Sequence, residues 1–223
     1  MFKIQINYSL NKKKYNSYSE EIEQLVPAYS KVLDVGCTTG KLARALKNKG
    51  CAVHGIDIDD ASLKRASKYC QKTYRVDVDN LNLLDRELKN EKYDAITFGD
   101  ILEHLKYPGI LLYHLRKYLN PNGLVAASIP NSAFIWTRIR FFLGNFAYSN
   151  KGGLMDEDHL RFFSFKTARV LFEDAHYKVL DIHGSSQGIV NPKFWFVKCL
   201  AKIVPALFAI HIIILARSEG KNR

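Results

Sequence analysis

The sequence lacks the features of a secreted, disulfide-stabilised or membrane-spanning protein. It has only four cysteines in 223 residues, and none of them shows the C-x-x-C spacing of a zinc or redox motif. They predict reduced packing residues rather than disulfides or ligands, so we expect no metal site. The longest apolar stretch, 203–216, is too short to span a bilayer and is interrupted by Pro205 and His211. Residues 1–15 hold no apolar run of secretory-signal length, so a cytoplasmic protein is expected.

Acidic residues are in deficit. The 22 Asp and Glu residues face 33 Lys and Arg residues, which gives a formal net charge of +11. This balance permits an anionic substrate, nucleic acid or an anionic membrane surface as partner, or only solvated basic faces. The basic residues cluster only at 12–14 and no RNA-binding signature occurs, so nucleic acid is not the expected partner. The aromatic and basic segment 192–204 could lie on a membrane, but a helix that covers the core is favoured. The oligomeric state stays open.

A glycine is missing from the most informative loop of the chain. Residues 32–40 read Val-Leu-Asp-Val-Gly-Cys-Thr-Thr-Gly, a buried-strand pattern that ends in two glycines and precedes an amphipathic helix pattern. Thr38 fills the middle glycine position of a dinucleotide fingerprint, and Lys41 is followed by Leu42 rather than the Ser or Thr of a P-loop. The loop therefore suits a ligand without phosphate, and Asp34 before it suits a positively charged ligand. S-adenosylmethionine has both properties.

A second acidic position strengthens this interpretation. Asp57 ends the next strand pattern, about 20 residues beyond the loop, where a carboxylate can accept hydrogen bonds from a ribose diol. Gly36 and Gly40 would let the backbone approach the ligand closely. Asp77 follows the third strand pattern, where it could meet the adenine amine or cap the next helix.

Strand and helix patterns alternate along most of the chain. We expect strands at 31–36, 51–57, 73–78, 93–99, 123–129, 178–183 and 207–216. Helices are expected at 17–26, 40–49, 60–71, 81–89, 109–119, 135–143, 164–176 and 192–204. This alternation predicts a mainly parallel sheet with helices on both faces and a ligand site at the carboxyl ends of the strands.

The expected domain organisation is simple. A single domain would span residues 1–223, with a tail and a helix at 1–29. Residues 131–163 break the alternation and are rich in aromatic residues and arginines, which suits a lid-like insertion over the site. A plain packing helix at 135–143 is the alternative, and both can hold.

Two motifs carry a family resemblance. The loop at 32–40 resembles the first motif of the class I S-adenosylmethionine-dependent methyltransferases, hydrophobic-Leu-Asp-hydrophobic-Gly-Cys-Gly-x-Gly, with Thr38 in place of the central glycine. Residues 93–105, Tyr-Asp-Ala-Ile-Thr-Phe-Gly-Asp-Ile-Leu-Glu-His-Leu, resemble the fourth motif of that family. The resemblance implies a Rossmann-like, doubly wound α/β fold with a seven-stranded sheet whose last strand is antiparallel. It also implies that Glu103 and His104 border the reaction site.

The loop pattern and the resemblance together define a set of expected cofactor-binding residues at the ends of the first four strands. They are Asp34, Gly36, Cys37, Thr38, Gly40, Asp57, Ile58, Asp77, Val78, Gly99, Asp100 and Ile101.

The segment Asp158-His-Leu-Arg-Phe-Phe-Ser164 resembles one found in small-molecule and glycan methyltransferases, including the 3-demethylubiquinone O-methyltransferases. The region 129–163 is also similar to methionine biosynthesis protein W. The resemblance implies O-methylation of a small or glycan-linked hydroxyl acceptor, which could be anionic. A hydroxyl nucleophile needs a base, and His159 is the first candidate and His104 the second, although each could instead fix the lid or loop. The alternatives are a non-catalytic or regulatory S-adenosylmethionine-binding partner protein and an RNA methyltransferase.

Overall fold

The computed structural model describes residues 17–149, 153–186 and 195–219. Its strands are β1 (Lys31–Val35), β2 (Ala52–Asp57), β3 (Lys72–Arg75), β4 (Tyr93–Gly99), β5 (Leu119–Pro130), β6 (Tyr177–Ser185) and β7 (His211–Ser218). Its α-helices are α1 (Ser17–Leu25), α2 (Lys41–Asn48), α3 (Asp60–Ala66), α4 (Leu81–Leu88), α5 (Pro108–Leu115), α6 (Ile135–Phe142), α7 (Phe165–Asp174), α8 (Trp195–Ile203) and α9 (Pro205–Phe208). Short 3₁₀ turns form at Leu102–His104 and Arg116–Tyr118. The basic cluster at 12–14 and the start of the helix expected at 192–204 lie outside the described residues.

The strands form one seven-stranded sheet in the order β3-β2-β1-β4-β5-β7-β6. Strands β1 to β5 pair in parallel, and β7 runs antiparallel to both of its neighbours, β5 and β6. The doubly wound sheet with an antiparallel last strand is therefore confirmed. The chain winds outward from β1 to β3 and then returns to β4 on the other side of β1. The loops after β1 and β4 diverge at this switch point, where open α/β sheets bind ligands.

Alternating residues along the strands send side chains into two separate cores. On β1, Val32 packs in the cluster that holds buried residues of α1, α2 and α3. Leu33 and Val35 pack in the cluster that holds buried residues of α4, α5 and α7. Successive side chains of a strand point to opposite faces of the sheet. Apolar residues at consecutive positions therefore mean that both faces are covered. The expected helices on both faces are confirmed, and the covered sheet carries the loops at its carboxyl edge.

Several boundaries differ from the sequence-based expectations. β3 ends at Arg75, because a loop follows in which the Asp77 carboxylate accepts a hydrogen bond from the Asp79 amide. Asn80 then caps α4. β5 begins at Leu119, so the turn expected at 120–123 lies within the strand. The last strand begins at His211 rather than 207, because the fixed φ of a proline starts the short helix α9.

Other local expectations hold. Ser164 caps α7, with its hydroxyl accepting a hydrogen bond from the Thr167 amide at 3.3 Å in a capping box. α8 buries Val197 and Ala201, whereas Trp195 and Phe196 are exposed, so the choice between a core-covering helix and a membrane-surface helix stays open. Within the described ranges, no helix combines the length and apolar character needed to cross a bilayer.

Candidate active site

The loop between β1 and α2 is held tightly against β2. The backbone amides of Gly36 and Cys37 both donate to the carbonyl oxygen of Ile56, each at 2.9 Å. Gly36 has φ +73° and Gly40 has φ +76°, a region that glycine adopts without steric cost. The Cys37 side chain is buried and points towards Gly55, so only the Cys37 backbone is available to a ligand. The loop is therefore preformed at the switch point.

Both loop glycines also have an internal reason to be glycine. A Cβ built on Gly36 would lie 3.0 Å from Cγ1 of Ile101, and one on Gly40 would lie 2.7 Å from Cα of Ala66. The first contact joins the loop after β1 to the loop after β4. The expected role of these glycines, close approach of a ligand, thus adds to a packing role that the sequence did not reveal.

Asp57 connects the end of β2 to this loop. Its Oδ2 accepts a hydrogen bond from the Thr38 amide at 2.9 Å, and its Oδ1 accepts one from the Asp59 amide at 2.9 Å. An ionised carboxylate has about four acceptor positions, so two remain for further donors. Ile58 beside it is 65% exposed and offers an apolar surface. This arrangement fits a ribose diol next to a planar base.

Thr38 has φ +43°, which is an unfavourable conformation for a β-branched residue. The residue sits where the family pattern has glycine, in a region of φ that glycine adopts without steric cost. The loop therefore carries local strain at Thr38.

Asp34 lies under the loop, at 3% exposure, and its Oδ1 accepts a hydrogen bond from the Thr97 hydroxyl at 2.8 Å. Burial raises the pKa of Asp34 to about 7, and the charge of Asp57 adds to the effect while the Thr97 hydrogen bond opposes it. A cationic ligand above the loop would favour the ionised form. The buried position leaves Asp34 little surface for direct contact, so its expected link to a cofactor amino group would run through water.

The end of β3 is more polar than the other strand ends. Asp77 accepts a hydrogen bond from the Asp79 amide at 3.0 Å, and Val78 beside it is buried. An open cavity of about 560 Å³ adjoins this loop, and it is bordered by Asp77, Asp79, Asn80, Leu81, Asn82 and Lys106. Asp77 therefore stabilises its own loop at the edge of an open cavity. The cap of α4 is Asn80 rather than Asp77, and the contact of Asp77 with an adenine amine stays a prediction.

The end of β4 carries a buried polar network. Ser128 donates to Oδ1 of Asp100 at 2.5 Å, and Nε2 of His211 lies 3.3 Å from Oδ2. Burial lowers the pKa of His211, but the charge of Asp100, its hydrogen bond to the ring and the charge of Glu21 together outweigh burial, so the net pKa is raised. Asp100 has φ +49°, so this residue is held in a strained conformation. Gly99 and Ile101 flank it, as the resemblance implies.

Three further side chains converge after β4. Oε1 of Glu103 lies 4.0 Å from Nε2 of His104 and 3.9 Å from Nε2 of His159. The two imidazole rings are edge to face, with centroids 4.8 Å apart. The backbone carbonyl of Glu103 accepts hydrogen bonds from the amides of Leu160 and Arg161 at 2.9 and 3.0 Å. The structure thus brings together both predicted catalytic histidines, and it fixes the insertion to the turn after β4.

Glu103 is the unusual member of this group. It is 2% exposed, and no side-chain oxygen of it has a hydrogen-bond partner among the described residues. Burial raises the pKa of Glu103 well above its ordinary value, and the charge of Asp100 raises it further. Burial also lowers the pKa of His159, whose side chain is 7% exposed, so this imidazole is neutral at pH 7. Nδ1 of His104 lies 3.0 Å from the Asp158 carbonyl oxygen and donates to it, which fixes that ring.

The insertion exposes much of its apolar surface. α6 buries only Thr137, whereas Phe142 is 90% exposed. Three arginines of the insertion donate to nearby backbone carbonyls: Arg138 to Ala133, Arg140 to Ala147, and Arg161 to Leu160 and Lys106. The insertion is thus attached at its base and open at its tip.

Sequence reasoning did not single out Ser128 or His211. Ser128 is one polar residue in a buried strand, and His211 follows it by more than 80 positions, so no local spacing connects them. A polar residue at a buried-strand position was the only signal available. The predicted residues from β1 to β4 do meet at one edge, because parallel strands present their carboxyl ends together.

Comparisons with known proteins agree with this geometry. Residues 10–182 match a family model described as a methyltransferase domain. A ubiquinone biosynthesis O-methyltransferase of Pasteurella multocida (strain Pm70) is 29% identical over 194 residues, which cover 81% of this chain and 78% of that protein. The protein of that name from Histophilus somni (strain 2336) is 29% identical over 174 residues, or 74% of this chain and 71% of its own.

Solved structures show the same fold. A SAM dependent methyltransferase from Archaeoglobus fulgidus superposes with a TM-score of 0.65 at 18% identity, covering 95% of this chain and 100% of its own. Magnesium protoporphyrin IX methyltransferase from Synechocystis PCC 6803 with bound SAH gives a TM-score of 0.61 at 14% identity, covering 96% and 89%. The chain belongs to the methyltransferase domain family. It is an S-adenosylmethionine-dependent methyltransferase with a Rossmann-like fold.

Proposed function

We propose that this methyltransferase transfers the methyl group to a hydroxyl oxygen of a small or glycan-linked acceptor. The observation that carries the proposal is the group formed by Glu103, His104 and His159, which lies directly after the residues expected to face the methionine end of the cofactor. The two ubiquinone biosynthesis relatives are named O-methyltransferases, which supports an oxygen acceptor.

The residues at the ends of β1 to β4 would hold the cofactor, which supplies an activated methyl group on a positively charged sulfur when bound. Two acceptor positions of Asp57 suit the ribose hydroxyls, and Ile58 suits one face of the adenine. Asp77 and Val78 would border the base, while Gly99 to Ile101 would border the methionine part. Asp34 would favour positive charge through its field rather than by direct contact.

His159 would take up the acceptor proton. Its lowered pKa keeps the imidazole neutral, which is the state that a general base requires. Its ring is mostly buried and lies edge to face against His104, so it is held in one orientation. Exclusion of water around the reacting groups would prevent the proton and methyl group from being diverted.

The described parts of the insertion, 131–149 and 153–163, would act as a lid over the acceptor. An anionic acceptor would have to draw Arg138, Arg140 or Arg161 away from the backbone carbonyls that they now contact. We expect hydrogen exchange in this segment to be faster than in β1 and β4, and to slow when S-adenosylhomocysteine and an acceptor are present. Protection equal to that of the central strands, with and without ligand, would leave a static packing element instead.

The acceptor class can be tested with methyl-labelled S-adenosylmethionine. The probes are a catechol, a short neutral oligosaccharide, its carboxylated counterpart and an unstructured RNA. We expect label in a hydroxyl compound as an alkali-stable ether, and none in the RNA. Labelled RNA, or binding of the cofactor without transfer to any hydroxyl probe, would contradict the proposal.

The role of His159 requires a matched pair of variants. His159→Ala should lower turnover by about 10²–10⁴-fold while S-adenosylhomocysteine affinity stays within a few-fold. His176→Asn is the control, because His176 is exposed and lies after α7, where its positive φ of 59° also suits asparagine. Unchanged turnover in His159→Ala would exclude it as the base, and lost cofactor affinity would assign it a different role.

A further inference from the structure

We propose that His211, the first residue of β7, positions Asp100 as the direct partner of the cofactor's α-ammonium group. His211 acts through Asp100 and does not itself contact the cofactor, so it is a positioning residue. This role rests on the proposed placement of the methionine part of the cofactor beside Gly99 to Ile101. It is independent of the acceptor class, and it gives a function to the buried polar network after β4.

A carboxylate that contacts the cofactor's amino group directly must reach the surface of the site. Asp34 is buried under the loop after β1, so its contact with the amino group would run through water. Glu103 is also buried, and it lies with the histidines of the acceptor side. The Asp100 side chain keeps 12% exposure directly after β4. Of these three carboxyl groups, Asp100 therefore offers the most surface to an ammonium group.

Two side chains from neighbouring strands hold the Asp100 carboxylate. Its Oδ1 accepts a hydrogen bond from the Ser128 hydroxyl at 2.5 Å, and its Oδ2 lies 3.3 Å from Nε2 of His211. One contact on each oxygen fixes the plane of the carboxylate. An ionised carboxylate has about four acceptor positions, so about two are left for a further donor. An ammonium group is a donor of the right charge for these positions.

The backbone of Asp100 shows why these contacts matter. Its φ of +49° lies in the left-handed region, which residues other than glycine occupy only when the surrounding structure stabilises it. The Asp100 amide donates to the Ser128 carbonyl oxygen at 3.2 Å, which holds the backbone. The contact with His211 holds the end of the side chain. Without the His211 contact, the carboxylate could turn away from the cofactor.

The direction of β7 places His211 at the cofactor edge of the sheet. His211 lies opposite Pro130, the last residue of β5, and opposite Ser185, the last residue of β6. Because β7 runs antiparallel to both strands, it is the beginning of β7 that meets their carboxyl ends. The start of β7 is therefore the place from which this strand can reach the loop after β4.

The charges around His211 favour a cationic ligand. Burial lowers the pKa of His211, but Asp100 and the charge of Glu21 on α1 raise it overall, which favours the imidazolium form. Burial raises the pKa of Glu21, but hydrogen bonds from His183 and Ser185 and the charges of His183 and His211 outweigh burial, so the net pKa is lowered. One imidazolium between two carboxylates leaves a negative balance, which suits an ammonium group at Asp100.

Calorimetry with two ligands that differ only in the amino group tests this role. The ligands are S-adenosylhomocysteine and its analogue in which a hydrogen atom replaces the α-amino group. The wild type should bind S-adenosylhomocysteine at least about 10-fold more tightly than the analogue. Asp100→Asn should weaken S-adenosylhomocysteine binding by at least about 10-fold and keep the analogue within about 3-fold, because only the first ligand carries the ammonium group.

Two amide variants of His211 provide a matched pair. Glutamine places its amide nitrogen near the position of Nε2 and can still donate to Asp100, whereas asparagine is too short. His211→Asn should weaken S-adenosylhomocysteine binding by about 5–10-fold without changing affinity for the analogue, and His211→Gln should stay within about 3-fold of the wild type. Both variants bury a neutral amide, so a general packing defect would affect them alike. His176→Asn is the control and should leave both affinities unchanged.

The two ligands distinguish positioning from a structural role. Equal weakening of both ligands in His211→Asn would make His211 a structural residue and overturn the proposal. Unchanged S-adenosylhomocysteine affinity in His211→Asn, with a loss in Asp100→Asn, would overturn it as well. His211→Gln alone overturns it if this variant loses as much S-adenosylhomocysteine affinity as Asp100→Asn. Unchanged affinity in both Asp100→Asn and His211→Asn would also refute the placement of the methionine part. No methyl transfer enters these measurements, so a wrong acceptor class would not alter them.

Discussion

The two halves of the proposed site treat their carboxyl groups in opposite ways. On the proposed cofactor side, Asp57 accepts hydrogen bonds from two backbone amides at 2.9 Å. On the acceptor side, Glu103 is more deeply buried, and its side-chain oxygens have no hydrogen-bond partner within the described ranges. A satisfied carboxylate stabilises the fold as well as the ligand, whereas an unsatisfied one lowers stability until something binds. Among the described residues, the chain supplies hydrogen-bond donors to Asp57 but none to the Glu103 side chain.

Their construction differs as well. The cofactor side is made of short loops at the ends of parallel strands, each tied to a neighbouring strand. The acceptor side joins a turn after β4 to an insertion that begins after β5, and its aromatic tip is exposed. Rigid loops suit an invariant ligand, and an open insertion suits an acceptor that must enter and leave.

Removal of the Asp57 carboxylate should produce the largest effect on the cofactor side. Asp57→Ala would delete the two charge-assisted bonds proposed to the ribose, so S-adenosylhomocysteine should bind about 2–5 kcal/mol more weakly in calorimetry. Asp60→Ala is the matched control, since Asp60 forms an exposed ion pair with Arg75 at 3.0 Å. Equal affinities in the two variants would remove Asp57 from the cofactor site.

The buried carboxyl of Asp34 should give a pH-dependent effect of intermediate size. Its pKa is raised from 3.8 to about 7 in the folded protein, so the folded state binds more protons than the unfolded state between these values. Stability from this group is therefore lost as pH rises through the window, by up to about 4 kcal/mol at about 1.4 kcal/mol per unit. Asn at this position keeps the acceptor for Thr97 and does not titrate.

Urea unfolding of the ligand-free Asp34→Asn variant and the wild type can measure this effect. The variant should gain stability relative to the wild type from about pH 4 to about pH 7, by 2–4 kcal/mol, and the difference should level off above that. A difference independent of pH would mean that Asp34 is ionised throughout. That outcome would mean that the protonation of Asp34 is not adjusted to a cationic ligand. Its contrast with the hydrogen-bonded carboxylate of Asp57 would then be lost.

The smallest expected effect is at Thr38. Glycine relieves the positive φ of 43°, so Thr38→Gly should raise the free energy of unfolding by about 1 kcal/mol. Thr39→Gly is the control: Thr39 is equally exposed but is not among the positive-φ residues, so glycine there should be neutral or destabilising. If both substitutions destabilise the protein equally, the loop is not strained at Thr38.

The sequence could place the expected cofactor-binding residues at one edge of the sheet because their signals are local. The glycines of the loop and Asp57 lie within one strand–helix–strand unit, and a parallel sheet places such strand ends together. It also indicated the seven-stranded fold through resemblance. It could not show that Gly36 packs on Ile101 or that Thr97 binds Asp34, because both contacts cross strands that are distant in the chain.

The acceptor side was less predictable for the same reason. Glu103 and His104 were named as bordering the reaction site, and His159 was named separately, but their convergence depends on how the insertion folds back. Two backbone bonds from Leu160 and Arg161 to the Glu103 carbonyl produce that convergence. Residues more than 50 positions apart have no spacing pattern that could predict such bonds. The same is true of the contact between His211 on β7 and Asp100.

The most direct test of the division between the two halves uses two measurements on two variants. S-adenosylhomocysteine affinity and methyl transfer would each be measured for Asp57→Ala and His159→Ala. We predict that Asp57→Ala loses at least about 30-fold in S-adenosylhomocysteine affinity, while His159→Ala stays within about 3-fold in affinity and loses about 10²–10⁴-fold in turnover. Equal losses of affinity in both variants, or unchanged values in both, would contradict the account.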